Sequence, residues 1–399
     1  MMDSVLNRSR PGIGLLAILL ALPQLSETIY TPVLPAIAQG FGVSESMAQL
    51  TMSIYFVGFA LGVLTWGWLA DYLGRRSAML AGLLCYGMGA AGAIFSSEFM
   101  LLLGARFLLA FGISVGSVVT QTVIRDCFNG KALGKLFSTV GAVISLSLAI
   151  GPVLGSLGAL AGGYQAVFIM LGGTALFMTL WAGLSLPETH PGQGAVRNNQ
   201  GSLLARMIRD RKIRVYSVMV AGANVVLFGY FTLGPFLVEQ IGFCASVFGV
   251  TGVLIAMGSA LGAMFNRRLL TQHSGDQLIL RGCWLGLLGA LLQLIVTLFL
   301  PSIPWLALLS IIAPMVLMVI AFGLIVPNLL SSALSEYKDE LGTAGALFGL
   351  SYYLLIAAGL TLVSHHYVPV AGYMPAVFLV IFLLMLMAWF HYQRSINKP

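Results

Sequence analysis

The sequence predicts an all-α membrane protein whose twelve transmembrane helices form two halves of six. Composition is the first reason, because 59% of the 399 residues are hydrophobic and only 8% are charged. The mean hydropathy is +0.96. A soluble domain carries about 25% charged residues on average, so a bilayer is the solvent that suits this chain.

The length of the apolar segments gives the number of helices. A transmembrane helix needs about 20 mainly apolar residues to cross roughly 30 Å of hydrocarbon. Lipid cannot satisfy exposed backbone amides, and these segments are too long and too uniformly apolar for barrel strands. The predicted spans are Ile13–Ala36, Met47–Leu69, Ser77–Phe95, Phe99–Ile124, Leu136–Leu160, Tyr164–Leu186, Val215–Val238, Ala245–Phe265, Gln277–Leu300, Trp305–Leu330, Thr343–Ser364 and Val370–Trp389.

The positions of lysine and arginine predict the orientation. With the N-terminus inside, nineteen of the 20 basic residues fall on the cytoplasmic side and the six outside loops hold none. An excess of Lys and Arg in cytoplasmic segments is the usual determinant of topology. We therefore expect a multi-pass protein of the bacterial inner membrane with both termini in the cytoplasm. This sorting accounts for the net charge of +7 without a nucleic-acid partner.

The N-terminus resembles a secretory signal peptide, because Arg8 and Arg10 precede an apolar run from Ile13. It has no small-x-small cleavage site, and the apolar run continues past Glu27. We therefore expect an uncleaved first membrane helix.

The chain lacks the residue patterns of an enzyme or a metal protein. No nucleotide-binding loop or metal-ligand spacing is present, and the cysteines follow no CxxC or disulfide framework. We therefore expect no cofactor, no metal and no catalytic residues. The four cysteines are Cys85, Cys127, Cys244 and Cys283.

The longest connection, Pro187–Arg214, falls between spans six and seven and divides the chain near its middle. We expect an N-terminal six-helix bundle over residues 1–190, a cytoplasmic linker over residues 191–213 and a C-terminal bundle over residues 214–399. The segment Ser202–Asp210 is expected to form a short amphipathic helix at the cytoplasmic surface. Two six-span halves are the layout of a transporter built from repeats.

The loop after span two carries a recognisable motif, Gly67-Trp-Leu-Ala-Asp71-Tyr-Leu-Gly74-Arg75-Arg76. Its glycines allow close helix approach and positive φ, and Asp71 can pair with Arg75 one turn later. The segment resembles the G-x-L-a-D-x-x-G-R-[RK] signature of the major facilitator superfamily and stands where that family carries it. An ordinary charged turn is the alternative interpretation.

Two more segments resemble motifs of the same family. In span four, Leu102-x-x-x-Arg106-x-x-x-x-x-Gly112 is similar to its second motif, although Leu109 and Ala110 replace the usual Gln-Gly. In span five, Gly151-Pro152-Val-Leu-Gly155 resembles its antiporter motif, which the family associates with export. A kink that serves only packing is the alternative, since glycine and proline both permit it.

Further local features resemble the Bcr/CflA-type drug:proton antiporters within that superfamily. The resemblance implies a proton-coupled exporter whose Asp71, Arg75 and Asp126 form a cytoplasmic charge cluster that locks the outward-facing state. A solvated loop cluster is the alternative. The features are Tyr30-Thr31-Pro32-Val33-Leu34-Pro35, Arg125-Asp126, Leu186-Pro187-Glu188-Thr189, Pro327-Asn328 and Gly342-Thr343-Ala344-Gly345.

The sequence departs from this pattern at the acid that many of these exporters carry. That aspartate falls four residues before Pro32, where this chain has Thr28, with Glu27 one position earlier.

Glu27 and Arg106 are the two charges deep within the spans, and an ionisable group there costs at least about 2.5–3.5 kcal/mol. Both are expected roughly 10–14 Å below the outer boundary. We predict that they pair and couple proton movement to transport.

The alternative for this pair is a fixed structural ion bridge. Arg106 also shares a helical face with Ser117 and Thr120, with Gln121 at its edge. Such a polar stripe on a membrane helix is typical of a face that meets a wet cavity or another helix.

Polar and aromatic residues within apolar spans are candidates for substrate binding, although aromatics in spans mostly serve packing. We expect a small-molecule substrate, protons and the lipid bilayer as partners, and a monomeric protein. A nutrient-importing symporter and, less favoured, a receptor without flux remain as alternatives to export. The candidates are Gln24, Tyr30, Asn224, Tyr230, Phe231, Gln293, Asn328 and Tyr352.

Overall fold

The structure is a computed structural model, and it describes residues 11–128, 130–189, 200–299, 303–337 and 341–396. These residues form helices joined by short connections. In chain order the helices are α1 (Ile13–Thr28), α2 (Leu34–Phe41), α3 (Glu45–Leu73), α4 (Arg75–Ile94), α5 (Phe99–Cys127), α6 (Gly130–Ser185), α7 (Gln200–Arg209), α8 (Arg211–Gln240), α9 (Ala245–Leu269), α10 (Gly275–Leu298), α11 (Pro304–Ala333), α12 (Leu341–His365) and α13 (Tyr373–Ile396).

Within the described ranges, 11 helical segments are long and apolar enough to cross a membrane. One of them, Leu146–Ser185, has 40 residues and contains a break where Gly162 and Gly163 leave the helical conformation. Gly163 has φ +65°, a backbone conformation that favours glycine. The two arms of α6 are therefore spans five and six, and the predicted twelve-helix all-α fold is confirmed.

The first span is interrupted, whereas the sequence predicted a continuous helix over Ile13–Ala36. Helix α1 ends at Thr28, a 3-10 turn covers Thr31–Val33, and α2 starts at Leu34. Pro32 and Pro35 stand at the starts of the second and third of these elements. Proline has no backbone N–H to donate, so the regular α-helical hydrogen bonding of the first span is interrupted here.

The predicted amphipathic helix in the linker is confirmed as α7. Leu203 and Met207 are buried on one face, while the guanidinium of Arg206 lies 5.0 Å from the ring centre of Tyr337. Residues 190–199 of the predicted linker lie outside the described residues.

The buried apolar side chains form two cores, one for each half of the chain. One extends over residues between Leu15 and Leu186, and the other over residues between Leu203 and Tyr392. Three buried residues pack with the opposite half: Phe56 and Leu148 with the C-terminal core, and Phe236 with the N-terminal core. These residues therefore mark where the two halves meet.

Polar contacts distinguish the two ends of the bundle. At one end Arg75 Nε donates to Asp126 at 3.2 Å, and Tyr337 donates to Asp210 at 2.8 Å. This is the predicted cytoplasmic end. At the other end Gln39 Nε2 of the N-terminal half donates to Glu239 Oε1 of the C-terminal half at 3.1 Å.

Candidate functional site

A cavity of about 420 Å³ lies between the two halves. Helix α5 supplies its polar wall, and α12 supplies an aromatic wall opposite. The cavity reaches the end of the bundle where the exposed side chain of Arg125 lies. The lining residues are Val63, Ser117, Val118, Gln121, Thr122, Arg125, Leu330, Leu334, Gly345, Ala346, Phe348, Gly349, Tyr352 and Tyr353.

Aromatic side chains close the inner end of this cavity. The ring of Tyr353 meets that of Phe59 edge-on at 4.9 Å and stacks on that of Phe56 at 6.3 Å. Phe56 in turn meets Phe228 of α8 at 4.9 Å. Since Phe56 and Phe59 belong to the N-terminal half and the other two rings to the C-terminal half, this cluster joins the halves above the cavity.

Arg106 is fully buried behind this closure. Its guanidinium carbon lies 3.9 Å from the ring centre of Tyr30 and 4.8 Å from that of Tyr55. None of its three side-chain nitrogens has a hydrogen-bond partner among the described residues. The positive charge is therefore held between two aromatic faces, an arrangement worth about 2 kcal/mol or more when desolvated.

Glu27 is 5% exposed and lies in the same interior. Its Oε1 has no hydrogen-bond partner within the described ranges, although Glu27 is near enough to act electrostatically on Arg106. The structure places no ion pair between these two described residues. The expected proximity is present, while direct pairing is replaced by the tyrosine contacts of Arg106.

Other buried polar atoms surround this part of the N-terminal half. Ser26 and Tyr86 lie close enough to influence Tyr55. A buried polar atom without a partner costs about 1–3 kcal/mol, so a concentration of such atoms calls for a functional explanation. In the described part of spans one to four, residues with further unpartnered buried atoms include Gln24, Ser26, Tyr30, Gln49, Ser53, Tyr86 and Thr120.

The predicted polar face of span four divides into two sites. Ser117 and Gln121 line the cavity between the halves. Arg106 and Thr120 are completely buried inside the N-terminal half. Because Thr120 lies between Ser117 and Gln121 along the helix, the face divides around the helix axis at its cytoplasmic end, whereas Arg106 is enclosed by protein further out.

The substrate candidates are not brought together at one place. Tyr352 lines the cavity, whereas Gln24 and Tyr30 belong to the interior around Arg106. Tyr230 donates to Thr251 at 2.7 Å, and its ring packs against Phe231 at 5.7 Å.

The remaining three candidates bond within the C-terminal half. Gln293 donates to the carbonyl of Ile311 at 2.8 Å. Asn328 donates to Asn266 Oδ1 at 2.7 Å. Asn224 donates to the carbonyl of Val220 in its own helix at 2.8 Å. Their side-chain NH2 groups are thus used by helix packing and by the backbone, whereas Gln293 Oε1 is buried without a partner among the described residues.

The cytoplasmic charge cluster forms around Arg75. Its guanidinium donates to Asp71, one turn earlier, and to Asp126 of α5. Asp126 also accepts a hydrogen bond from Thr189 at 3.4 Å. The side chain of Asp71 is 64% exposed, so this cluster connects span two to span four at the surface of the N-terminal half.

Glu188 caps the helix that follows this cluster. Its carboxylate accepts from the backbone N–H groups of Arg75 at 2.8 Å and Arg76 at 3.1 Å. A carboxylate is favourable there because helix N-termini carry free N–H groups and a positive dipole end. Gly74 has φ +95°, and a β-carbon on it would lie 2.5 Å from Glu188 Oε2. Arg76 donates to the carbonyl of Gly183 at 2.6 Å.

The first glycine of the loop motif is under less constraint. A β-carbon at Gly67 would meet Val118 at 3.6 Å, which is an ordinary contact.

The antiporter motif occupies a three-helix contact. A β-carbon at Gly151 would collide with Thr28 Oγ1, and one at Gly155 with the carbonyl of Ile29. On another side, a β-carbon at Gly252 of α9 would lie 2.7 Å from the Pro152 ring. The glycines therefore admit span one of the same half, while the proline touches span eight of the other half.

Sequence reasoning did not single out Tyr55, Tyr353 or the capping role of Glu188. Tyr55, Phe56 and Phe59 share helical spacing on α3, but this spacing is equally typical of packing. The capping contact joins residues 113 positions apart, so no local pattern indicates it.

Comparison with known proteins extends the resemblance along the chain. The family model of the Major Facilitator Superfamily matches residues 16–360 of this chain. A protein of Rickettsia bellii named as an uncharacterized transporter is 33% identical over 92% of this chain and 93% of its own. A chloramphenicol resistance protein of Pseudomonas aeruginosa is 28% identical over 86% of this chain and 81% of its own.

Solved structures show the same fold. A bacterial homolog of the human lysosomal transporter Spinster, inward-facing and occupied, superposes with TM-score 0.75 at 16% identity and covers 96% of both chains. The xylose transporter XylE of E. coli superposes with TM-score 0.72 at 13% identity, covering 95% of this chain and 97% of that chain. The family match and the twelve-helix fold together show that this protein belongs to the Major Facilitator Superfamily and is a transporter rather than an enzyme.

Proposed function

We propose that this transporter exports small molecules in exchange for protons, as a Bcr/CflA-type antiporter of the bacterial inner membrane. The observation that carries the proposal is the buried Glu27 beside the buried Arg106, with no ion pair between these two described groups. Two relatives with resistance names support export: the chloramphenicol resistance protein and multidrug resistance protein D of Escherichia coli, which is 25% identical over 84% of each chain.

Glu27 is the proposed proton carrier. A buried carboxylate is costly when charged and far less so when protonated, whereas the nearby positive charge of Arg106 favours the charged form. The two effects oppose each other, so a modest rearrangement can change whether Glu27 holds a proton. A carboxylate already neutralised by a direct ion pair would be a poorer carrier.

The aromatic contacts supply a route from this acid to the cavity. Arg106 lies on Tyr55, Tyr55 stacks on Phe59 at 6.2 Å, and Phe59 meets Tyr353. Tyr353 lines the cavity beside Tyr352, with ring centres 4.4 Å apart. A substrate that displaces Tyr353 therefore acts, through two packed rings, on the environment of Arg106.

The charge cluster at the cytoplasmic end is the proposed conformational switch. It comprises Asp71, Gly74, Arg75, Arg76 and Asp126, with Gly67 one turn before it. In the described conformation the cavity reaches the exposed Arg125 at this end, and Arg75 is held inside the N-terminal half by Asp71 and Asp126. We propose that Asp71 turns to the N-terminus of α12 when this end closes, because a carboxylate is favourable there.

The antiporter motif is the proposed pivot between the halves. Gly151 and Gly155 hold span one close, and Pro152 contacts Gly252 of the other half. Tight packing of this kind lets helices rock without losing contact. Two rigid bundles, residues 1–190 and 214–399, then alternate about this contact within a monomer, with residues 191–213 as the cytoplasmic linker.

Flux measurements on purified protein in proteoliposomes test the proposal. An imposed pH gradient should drive radiolabelled compounds in the direction opposite to the protons, and a protonophore should abolish the movement. Movement in the same direction as the protons would identify a symporter. Saturable binding without any flux, across a broad compound panel, would identify a receptor.

A further inference from the structure

Resting on the proposed function, we infer that the cavity between the halves takes amphipathic organic acids: an aromatic or apolar body bearing one anionic group. Arg125 binds the anionic group at the cytoplasmic mouth. The aromatic residues of α12 receive the body. Among the described residues of the cavity wall, the combination of one cation with no acid is what distinguishes this class.

The charge of the wall is the first argument. Arg125 is the one charged residue among the described residues that line the cavity. Its guanidinium has no hydrogen bond or ion pair with the part of the chain that the structure describes. A guanidinium offers five N–H donors in a planar fork that matches a carboxylate or phosphate. It is therefore available to a ligand.

The two described acids nearest in this cluster, Asp126 and Asp71, do not take up this charge. Asp126, next in the chain, lies 3.2 Å from Arg75 and 3.4 Å from the Thr189 hydroxyl. Asp71 is held by the same arginine. Arg75 thus draws both carboxylates to the surface of the N-terminal half, and Arg125 on the cavity side keeps its positive field.

The remaining walls suit an aromatic body. Phe348, Tyr352 and Tyr353 line one side, and the Phe348 and Tyr352 rings pack edge-on at 5.4 Å. Ser117 and Gln121 face them from α5. A volume of about 420 Å³ lies within the range of small-molecule sites, with few polar groups to fix orientation.

Span four arranges its charges along one axis. Arg125 lies at the mouth of the cavity and Arg106 lies buried beyond its inner end. When Glu27 is protonated, neither arginine has a carboxylate partner among the described residues, and the helix carries positive charge on both sides of the aromatic closure. A cationic compound is disfavoured in such a field, and an anion is favoured.

The test uses three ligands with the same ring: 1-naphthoate, 1-naphthamide and 1-naphthylmethylammonium. Binding to the purified full-length protein is measured by equilibrium dialysis in detergent, with no pH gradient. A charge-assisted hydrogen bond is worth about 1.5–3 kcal/mol, so the carboxylate should bind about tenfold tighter than the amide or more. The ammonium compound should bind most weakly.

Variants then assign the preference to a residue. Arg125→Gln should remove the advantage of the carboxylate over the amide, and Arg125→Lys should retain part of it. Arg209→Gln is the matched control, because Arg209 is exposed on α7 and does not line the cavity; it should leave all three affinities unchanged. Tyr352→Leu should weaken the three ligands by a common factor, since it removes the shared aromatic contact.

Equal affinities for the three ligands, tightest binding of the ammonium compound, or no saturable binding at all would overturn the inference. So would an acid preference that survives Arg125→Gln. The outcome is separate from that of the flux experiment: acid-selective binding without proton-driven movement would reject export and keep this assignment. Proton-driven export without a preference for the carboxylate ligand would keep the proposed export and reject the assignment of organic acids to the cavity.

Discussion

Arg106 and Tyr30 meet face to face, with the guanidinium carbon 3.9 Å from the centre of the ring. Tyr30 directly precedes the 3-10 turn Thr31–Val33 that follows α1. The same interior holds Glu27, which makes no ion pair with Arg106 in the described structure. The Tyr30 ring therefore contacts this buried cation directly, whereas Glu27 acts on it without a direct ion pair.

This contact predicts unequal effects of two substitutions at Tyr30. Tyr30→Phe keeps the ring and removes a hydroxyl that has no partner among the described residues. Tyr30→Leu removes the ring face and should lower stability by about 2 kcal/mol more than the phenylalanine variant. Thermal unfolding of the purified protein in detergent measures the difference. An equal loss of stability in the Tyr30→Phe and Tyr30→Leu variants would show that the aromatic face contributes nothing beyond the packing that leucine also supplies.

Much of the fold follows from local sequence, because hydrophobic length and basic residues act span by span. The break in span one was not predicted, whereas the kink at Gly163 falls in the predicted connection between Leu160 and Tyr164. The site was harder to predict. Asn224 and Gln293 stood out as polar residues in apolar spans, but their amides bond to backbone carbonyls. Of the polar face predicted around Arg106, Ser117 and the edge residue Gln121 line the cavity, while Arg106 and Thr120 are buried.

The partner of Arg106 could not be read from the sequence for a physical reason. Both a carboxylate and an aromatic face stabilise a buried cation, and spans contain many aromatic residues. Which of these is chosen depends on the rotation of spans one, two and four about their axes. That rotation is set by close contacts between helices, such as the one between Gly116 of α5 and the carbonyl of Leu19 in α1.

The antiporter motif predicts a graded response to alanine. Gly155→Ala places a methyl group against the carbonyl of Ile29, which is backbone, whereas Gly151→Ala meets the movable side chain of Thr28. Overpacking costs about 1–3 kcal/mol, and the Gly155 variant should be the worse of the two in stability and transport. Gly104→Ala is the control, since nothing lies within 4 Å of its added carbon.

Thermal stability and flux should be highest for Gly104→Ala, lower for Gly151→Ala and lowest for Gly155→Ala. A Gly155 variant as stable and active as the Gly104 control would contradict the close contact between spans one and five.

The predicted orientation can be tested with cysteines in a background whose four native cysteines are serine. Ser97→Cys and Gly162→Cys, both exposed, should react with a membrane-impermeant maleimide in intact cells because they fall in outside loops. Gln272→Cys, exposed at the predicted cytoplasmic end, should react only after lysis. The third predicted outside position, Ser302, lies outside the described residues and should behave like Ser97. The reverse pattern would invert the topology.

The switch role predicts that Asp71→Asn slows transport and leaves substrate affinity nearly intact. Asp71 does not line the cavity, so the change should act on the balance of inward and outward states. A bias of about 1 kcal/mol would reduce the transport rate about fivefold. Asp276→Asn, at another exposed acid near the same end, is the control.

State populations can be followed by labelling cysteines on either side of the membrane. A large change in dissociation constant with unchanged populations would show that Asp71 acts on the ligand and not on the equilibrium.

Glu27→Gln tests the proton carrier itself. Glutamine keeps the shape of the side chain and can still donate or accept a hydrogen bond, but it cannot titrate. The variant should therefore lose pH-driven export in proteoliposomes while it retains substrate binding. Glu98→Gln, an exposed acid at the start of α5, should keep both activities. Glu27 is 5% exposed and acts electrostatically on Arg106. Without the charge of Glu27, the Arg106 guanidinium should therefore keep only its contacts with the tyrosine rings. Full proton-coupled export by this variant would leave Glu27 a structural or substrate-binding role, and Asp126 would then be the next acid to replace.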